Sequence, residues 1–301
     1  LLALPYREAH EQLDRFYLRR IMAETPTPIL IVSSTANVQD EAVLFEALRS
    51  GALGVCRKPG SPALPDYDAE CRKLIEMVSL MADIKVVRRH AAAEPVGEPL
   101  GRSLLPQVVA VACSTGGPAA LYALCSQLPC DFALPILVVQ HMAAEFLPGL
   151  ARWLGAASPL RVKLAEAGEP LSPATVYLAP AAHHLGVTSA HTILLAEEAP
   201  IGGFRPAGTF LFQSVARTFG RRVVALILSG MGEDGVAGLR AVRAAGGFVV
   251  AQDQASSAVF GMPGAAIAAG LADAVVPSAG LAAFVKRLGS GLKGEPPCPA
   301  S

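Results

Sequence analysis

From residue 107 onward, short runs of apolar, largely β-branched residues alternate with segments of helical length. The runs Gln107–Cys113, Ile136–Gln140, Thr175–Leu178, Val223–Leu228 and Phe248–Ala251 keep strongly polar side chains at their ends. That pattern fits strands buried on both faces rather than strands with one wet face. Strands alternating with helices predict a mostly parallel, doubly wound α/β sheet domain over residues 106–290. Upstream, a helix around Glu11–Ala23, a strand Pro28–Ser34, a helix around Asp40–Ser50 closed by Gly51 and a strand Leu53–Arg57 read as part of another α/β unit over 1–62. Residues 63–105 carry one helix, Ala69–Val87, and then a solvated linker between Arg88 and Pro106, where apolar periodicity stops. The tail 291–301 is expected to be disordered.

Composition narrows the function classes. Of 301 residues, 52% are hydrophobic and 17% charged, with 25 basic and 25 acidic side chains. This balance gives no net field toward nucleic acid or an anionic membrane. No apolar run approaches the roughly 20 residues of a spanning helix, so membrane insertion is not expected. The six cysteines show no CxxC and no Cys/His spacing of a zinc site, so neither a metal nor a disulfide framework is expected. The first residues lack the pattern of a secretory signal, which points to the cytoplasm. They also lack an initiator Met, so the sequence is expected to begin inside a longer product.

Three strand ends carry candidate chemistry. The run Val108–Cys113 stops at Ser114-Thr-Gly-Gly117, and a helix begins near Pro118. Sites in open α/β sheets form beyond the carboxyl ends of strands. Ser114 is therefore a candidate nucleophile, with neighbouring backbone N–H groups able to face negative charge. A plain helix cap is the simpler reading of this segment taken alone, and the Gly-Lys-Ser/Thr of a P-loop is absent. Cys113 is a second possible nucleophile, although strand alternation turns it away from Ser114 and into the packing.

A serine needs a base, and His141 directly follows the run ending at Gln140. His10 and His90 lie outside this domain, and His183, His184 and His191 read as loop or surface residues. The third segment, Val223-Val-Ala-Leu-Ile-Leu-Ser-Gly-Met-Gly-Glu-Asp-Gly235, brings Asp234 to the same rim. Glu233 and a simple turn aspartate are the competing readings. Ser, His and Asp at three strand ends can supply nucleophile, base and orienting carboxylate. The order Ser, His, Asp and the lack of GxSxG separate the chain from α/β-hydrolases.

Taken in order, STGG at 114–117, QHM at 140–142, FRP at 204–206, GMGEDG at 230–235, and Gln252-Asp253 with Phe260-Gly-Met-Pro263 closely resemble the chemotaxis protein-glutamate methylesterase family across residues 106–290. The resemblance implies a catalytic triad of Ser114, His141 and Asp234 and oxyanion support from the backbone at Thr115 and Met231. It also implies substrate contacts from Arg205 and Gln140, and no cofactor. The substrate would be a methylated chemotaxis receptor, and deamidation of receptor glutamines is implied as a second activity.

In that family the catalytic domain follows a response-regulator receiver of flavodoxin-like fold, and residues 1–62 resemble its second half. Ser33 or Ser34 would then be the switch hydroxyl and Lys58 the receiver lysine. Ala3 stands where the phosphoacceptor aspartate would be, so no phosphoacceptor is assigned. A chemotaxis histidine kinase is a further expected partner. The chain departs from the family pattern at Ala112, Cys113, Thr209 and Gly264, the first expected to tighten the nucleophile turn and the last two to bear on substrate affinity. Two rival readings are a catalytically silent signalling module and a hydrolase of small esters.

Overall fold

The computed structural model describes residues 18–25, 27–33, 38–82 and 105–289. The linker residues 88–104, the tail 291–301, Ala3, Ser34 and the start of the first predicted helix lie outside these. The described chain begins with α1 (Leu18–Glu24), β1 (Leu30–Ser33), α2 (Val38–Ser50), β2 (Gly54–Arg57) and α3 (Tyr67–Ala82). Strands β1 and β2 pair in parallel, from Leu30 opposite Gly54 to Ser33 opposite Arg57. The result is a small βαβ unit, with α2 ending at Gly51 in a positive-φ conformation that suits glycine.

The second part runs β3 (Val108–Cys113), α4 (Gly117–Cys125), β4 (Ile136–Gln140), α5 (Leu147–Ala157), β5 (Arg161–Leu164) and β6 (Thr175–Leu178). It continues through β7 (His184–Val187), β8 (Ile193–Ala196), α6 (Gly208–Phe219), β9 (Val223–Ile227) and α7 (Val236–Ala244). The last elements are β10 (Phe248–Gln252), α8 (Met262–Ala268), β11 (Ala274–Val276) and α9 (Leu281–Gly289). Seven strands form one sheet in the order β11-β10-β9-β3-β4-β6-β5, and every neighbouring pair is parallel.

The two-residue period of a strand divides the core between the two faces of this sheet. Val109, Val111 and Cys113 join the cluster built with Leu121, Leu124, Leu150 and Phe284, whereas Val108, Ala110 and Ala112 join the one built with Leu211, Phe212, Leu239 and Met262. Helices α4, α5 and α9 thus cover one face and α6, α7 and α8 the other. Burial on both sides is why β3, β4 and β9 are apolar without alternation.

The N-terminal βαβ unit packs on the first face. Leu44, Phe45 and Leu48 of α2 enter that cluster, Phe45 stacks on Trp153 with centroids 5.4 Å apart, and the Arg49 guanidinium lies 5.5 Å from the centre of the Tyr122 ring.

Four strands escaped the sequence pattern. β5 and β11 are edge strands of four and three residues, and β7 and β8 form a separate antiparallel hairpin. One consequence is a correction: His184 is not in a loop or surface context but fully buried in β7.

Candidate active site

The chain leaves β3 to build β4, β6 and β5 on one side, then returns to place β9 on the other. The carboxyl ends of β9, β3 and β4 therefore meet at a reversal of strand order, where crevices open in such sheets. Ser114 follows β3, His141 follows β4, and Asp234 lies in the loop between β9 and α7.

Ser114 sits in the tight turn into α4, half-buried, its N–H donating to the Ser229 carbonyl at 3.0 Å. The turn depends on Gly116, which caps α4 with φ +78° and whose missing Cβ would press on Ala258 and Ser229. Ser229 Oγ also donates to the Thr115 carbonyl at 2.7 Å, bracing the turn from β9. Among the described residues, no hydrogen bond holds the Ser114 hydroxyl, and none takes the N–H of Thr115 or Met231. The Gly116 N–H, by contrast, donates to the Leu53 carbonyl of the N-terminal unit at 3.1 Å.

Cys113 points the opposite way. It is fully buried, its thiol donates toward Gln140 Oε1 at 3.1 Å, and burial, followed by the nearby Cys125, pushes its thiol far above the ordinary range. A thiol so protonated and enclosed is a poor nucleophile.

His141 Nε2 lies 2.9 Å from Asp234 Oδ2. The approach meets the distance of a hydrogen bond but not its direction, so both buried ring nitrogens lack an aligned partner among the described residues. Catalytic contacts are often loose before substrate arrives. The ring is held instead by Phe204, stacked parallel at 4.1 Å between centroids and 4° between planes. Asp234 is clamped more firmly. Its Oδ2 accepts the Gly208 N–H at 2.6 Å and its Oδ1 the Thr209 N–H at 3.0 Å.

Burial is the largest single influence on the Asp234 carboxyl and opposes its charge. His141, the Gly208 N–H and the Thr209 N–H together outweigh burial and hold the group below the usual carboxylate range. A depressed folded pKa means that the ionised form stabilises the fold. This contribution is fully present above the unfolded value of about 3.9 and is lost as pH falls through the lower folded value. The melting temperature of the wild type should therefore exceed that of Asp234→Asn near neutrality, and the gap should narrow as the pH falls below the unfolded value of about 3.9. Thermal unfolding followed by circular dichroism across that range checks this, and a gap independent of pH would contradict it.

The family described as CheB methylesterase matches residues 109–285. The chain is 48% identical over 284 residues to protein-glutamate methylesterase/protein-glutamine glutaminase 4 of Myxococcus xanthus, covering 92% of this chain and 79% of that one. It is 49% identical over 266 residues to protein-glutamate methylesterase/protein-glutamine glutaminase 3 of Anaeromyxobacter dehalogenans, covering 85% and 76%.

This chain belongs to the CheB methylesterase family.

The crystal structure of the Thermotoga maritima CheB methylesterase catalytic domain superposes with a TM-score of 0.59 at 37% identity, covering 62% of this chain and 99% of that one. Arg205 is exposed and donates to the Glu197 and Glu198 carbonyls at 3.2 Å each. Gln140 requires a correction: it is 3% exposed and its amide is spent inside the protein, so it has no free group to offer a substrate.

Thr209 is likewise buried rather than facing substrate, and its hydroxyl accepts the Gly235 N–H at 3.0 Å beside the Asp234 clamp. Ala112 lies within β3, paired with Val139 and Ile227, so it does not tighten the turn; Gly208 leaves room for its methyl. Ser33 closes β1 with its carbonyl accepting the Lys58 N–H at 2.7 Å, and the Lys58 side chain is exposed.

Phe204 is the residue the sequence reading missed. It lies in the FRP segment but precedes a cis Arg205–Pro206 peptide in a loop where no periodicity announces its place over His141. His184 supports the same loop, accepting the Ala207 N–H on Nδ1 at 3.2 Å and lying 3.1 Å through Nε2 from the Ala199 carbonyl. Those partners call for the neutral tautomer protonated on Nε2. No cluster of three metal-binding side chains occurs among the described residues, and no helix among them is long and apolar enough to cross a membrane.

Proposed function

We propose that this CheB-family chain is a protein-glutamate methylesterase and protein-glutamine glutaminase acting on chemotaxis receptors, with Ser114 as nucleophile, His141 as base and Asp234 as orienting carboxylate. The observation that carries the reading is the His141–Asp234 pair at 2.9 Å, set beside the Ser114 turn at adjoining ends of β3, β4 and β9. With Asp234 on Nε2, the remaining nitrogen, Nδ1, is the one left to receive the Ser114 proton.

Ser114 Oγ attacks the ester carbonyl of a glutamate methyl ester while its proton passes to His141. The oxyanion is received by the N–H groups of Thr115 and Met231. His141 returns the proton to the departing methoxide, methanol leaves, and water hydrolyses the acyl-enzyme by the reverse path. A receptor glutamine would enter the same acyl-enzyme with loss of ammonia. Phe204 lies face-on to the ring that becomes imidazolium, an arrangement worth roughly 0.5–2 kcal/mol for a cation over an aromatic face. All these groups belong to the protein, so the reading calls for no cofactor.

The N-terminal βαβ unit is read as part of a receiver domain, with Ser33 or Ser34 and Lys58 in its switch positions. A chemotaxis histidine kinase as partner rests on that resemblance. With Ala3 at the phosphoacceptor position, the reading assigns the chain no phosphorylation site there. A receptor's cytoplasmic helices as substrate place the enzyme in the cytoplasm. The silent-module alternative gives no reason for a carboxylate clamped against a base beside an unengaged serine.

Substrate class is tested by comparing methylated receptor with p-nitrophenyl acetate. The proposal expects a kcat/KM higher by at least about 10²-fold for the receptor, because remote contacts of a true substrate are used in its transition state. A preference for the small ester would support the small-ester hydrolase instead.

A further inference from the structure

The N–H groups assigned to the oxyanion belong to peptide units that are held from their opposite ends. In a trans peptide the N–H of one residue points away from the carbonyl of the residue before it, and the unit is planar. Fixing the Ser114 carbonyl therefore aims the Thr115 N–H, and fixing the Gly230 carbonyl aims that of Met231. The Gly230 carbonyl accepts two backbone donors, Gly261 N at 3.0 Å and Met262 N at 2.9 Å. The Ser114 carbonyl also accepts two, Gly117 N at 2.8 Å and the side chain of Gln140 through Nε2 at 2.9 Å.

Gln140 is placed for this by its position in the sheet. It is the last residue of β4 and stands opposite Cys113, the last of β3. Its amide orientation follows from its partners: the Ser114 and His141 carbonyls can only accept, so both face Nε2, while the Cys113 thiol donates to Oε1. Both hydrogens of Nε2 are thus used, one on the turn carrying the nucleophile and one on the carbonyl of the base, 2.9 Å away. Gly117 leaves the space, since a Cβ there would collide with Oε1 and with Cys113. Donors on a carbonyl also polarise its peptide unit and strengthen the N–H at its other end.

We propose that Gln140 is a positioning residue for the oxyanion site, acting through the Ser114 carbonyl to aim and polarise the Thr115 N–H. The inference rests on the esterase reading above. An interaction that ripens only as the oxyanion forms acts on kcat and leaves KM nearly unchanged. Removing a whole oxyanion donor costs on the order of 10²–10³-fold in kcat, so a misaimed one should cost part of that, on the order of 10–100-fold.

The test uses the full chain on methylated receptor membranes, with Gln140→Met, which keeps the length without the donor, and Gln140→Glu, which keeps the shape without an N–H. Folding is checked by circular dichroism, so that one folded variant suffices. The expected result is a kcat lower by on the order of 10–100-fold with KM within about twofold and an unmoved pH–rate midpoint. Binding of phenylboronic acid, whose tetrahedral serine adduct places a B–O⁻ at the same donors, should weaken by a comparable factor. Unchanged kcat in a folded variant, a loss through KM alone, or a shifted pH midpoint pointing to His141 would overturn the proposal. An inactive wild type would instead overturn the esterase reading on which it stands.

Discussion

Replacing Ser114 with alanine should reduce ester hydrolysis by on the order of 10⁶-fold in kcat, the scale seen when a serine hydrolase loses its nucleophile. The fold should not suffer. The Ser114 hydroxyl makes no hydrogen bond among the described residues, and the turn is held by its backbone, by Gly116 and by Ser229. Cys113→Ala supplies the contrast. Its thiol is enclosed and held protonated, and although it donates to Gln140 Oε1, the Gln140 Nε2 bonds to the Ser114 and His141 carbonyls do not depend on it, so this variant should keep activity within about tenfold. Steady-state kinetics of both variants, with thermal unfolding as the control, read the difference directly. Substantial turnover by folded Ser114→Ala would remove the serine from the mechanism.

The second large effect is expected at Asp234. Asp234→Asn keeps the size of the side chain but cannot carry the charge that balances an imidazolium, and kcat should fall by on the order of 10⁴-fold, as in other serine triads. The buried setting adds a structural cost. Gly208 N and Thr209 N both donate to this carboxylate, and an amide offers an acceptor to only one of them. A buried N–H left without a partner costs about 1–3 kcal/mol. The variant should therefore be both slow and less stable at neutral pH, measured as kcat and as melting temperature. Full activity would transfer the orienting role elsewhere, with the nearby Glu233 the first alternative.

The legible parts of the protein were those fixed by burial alone. Strands β3, β4, β6, β9 and β10 are apolar because both of their faces are covered, and their carboxyl ends put Ser114, His141 and Asp234 on one rim. What the sequence hid depends on partners distant along the chain. The Thr209 hydroxyl meets Gly235 from 26 residues away, and Phe204 crosses 63 residues to lie on His141. Strands β5 and β11 are too short, and the β7–β8 hairpin too apolar, for their patterns to stand out from loops.

The orientation of Gln140 depends on strand register, which the sequence does not show. The alternation that turned Cys113 into the packing applies equally to its cross-strand neighbour, so Gln140 had to face the same way. The family resemblance implies a substrate contact for it, whereas the pleat directs it beneath the turn.

Incubating the purified chain with receptor membranes carrying methyl-labelled glutamate esters, beside Ser114→Ala, and measuring released methanol decides whether Ser114 carries an esterase activity. The wild type should release methanol and the folded variant none above background; equal release from both, or none from the folded wild type, would refute the assignment.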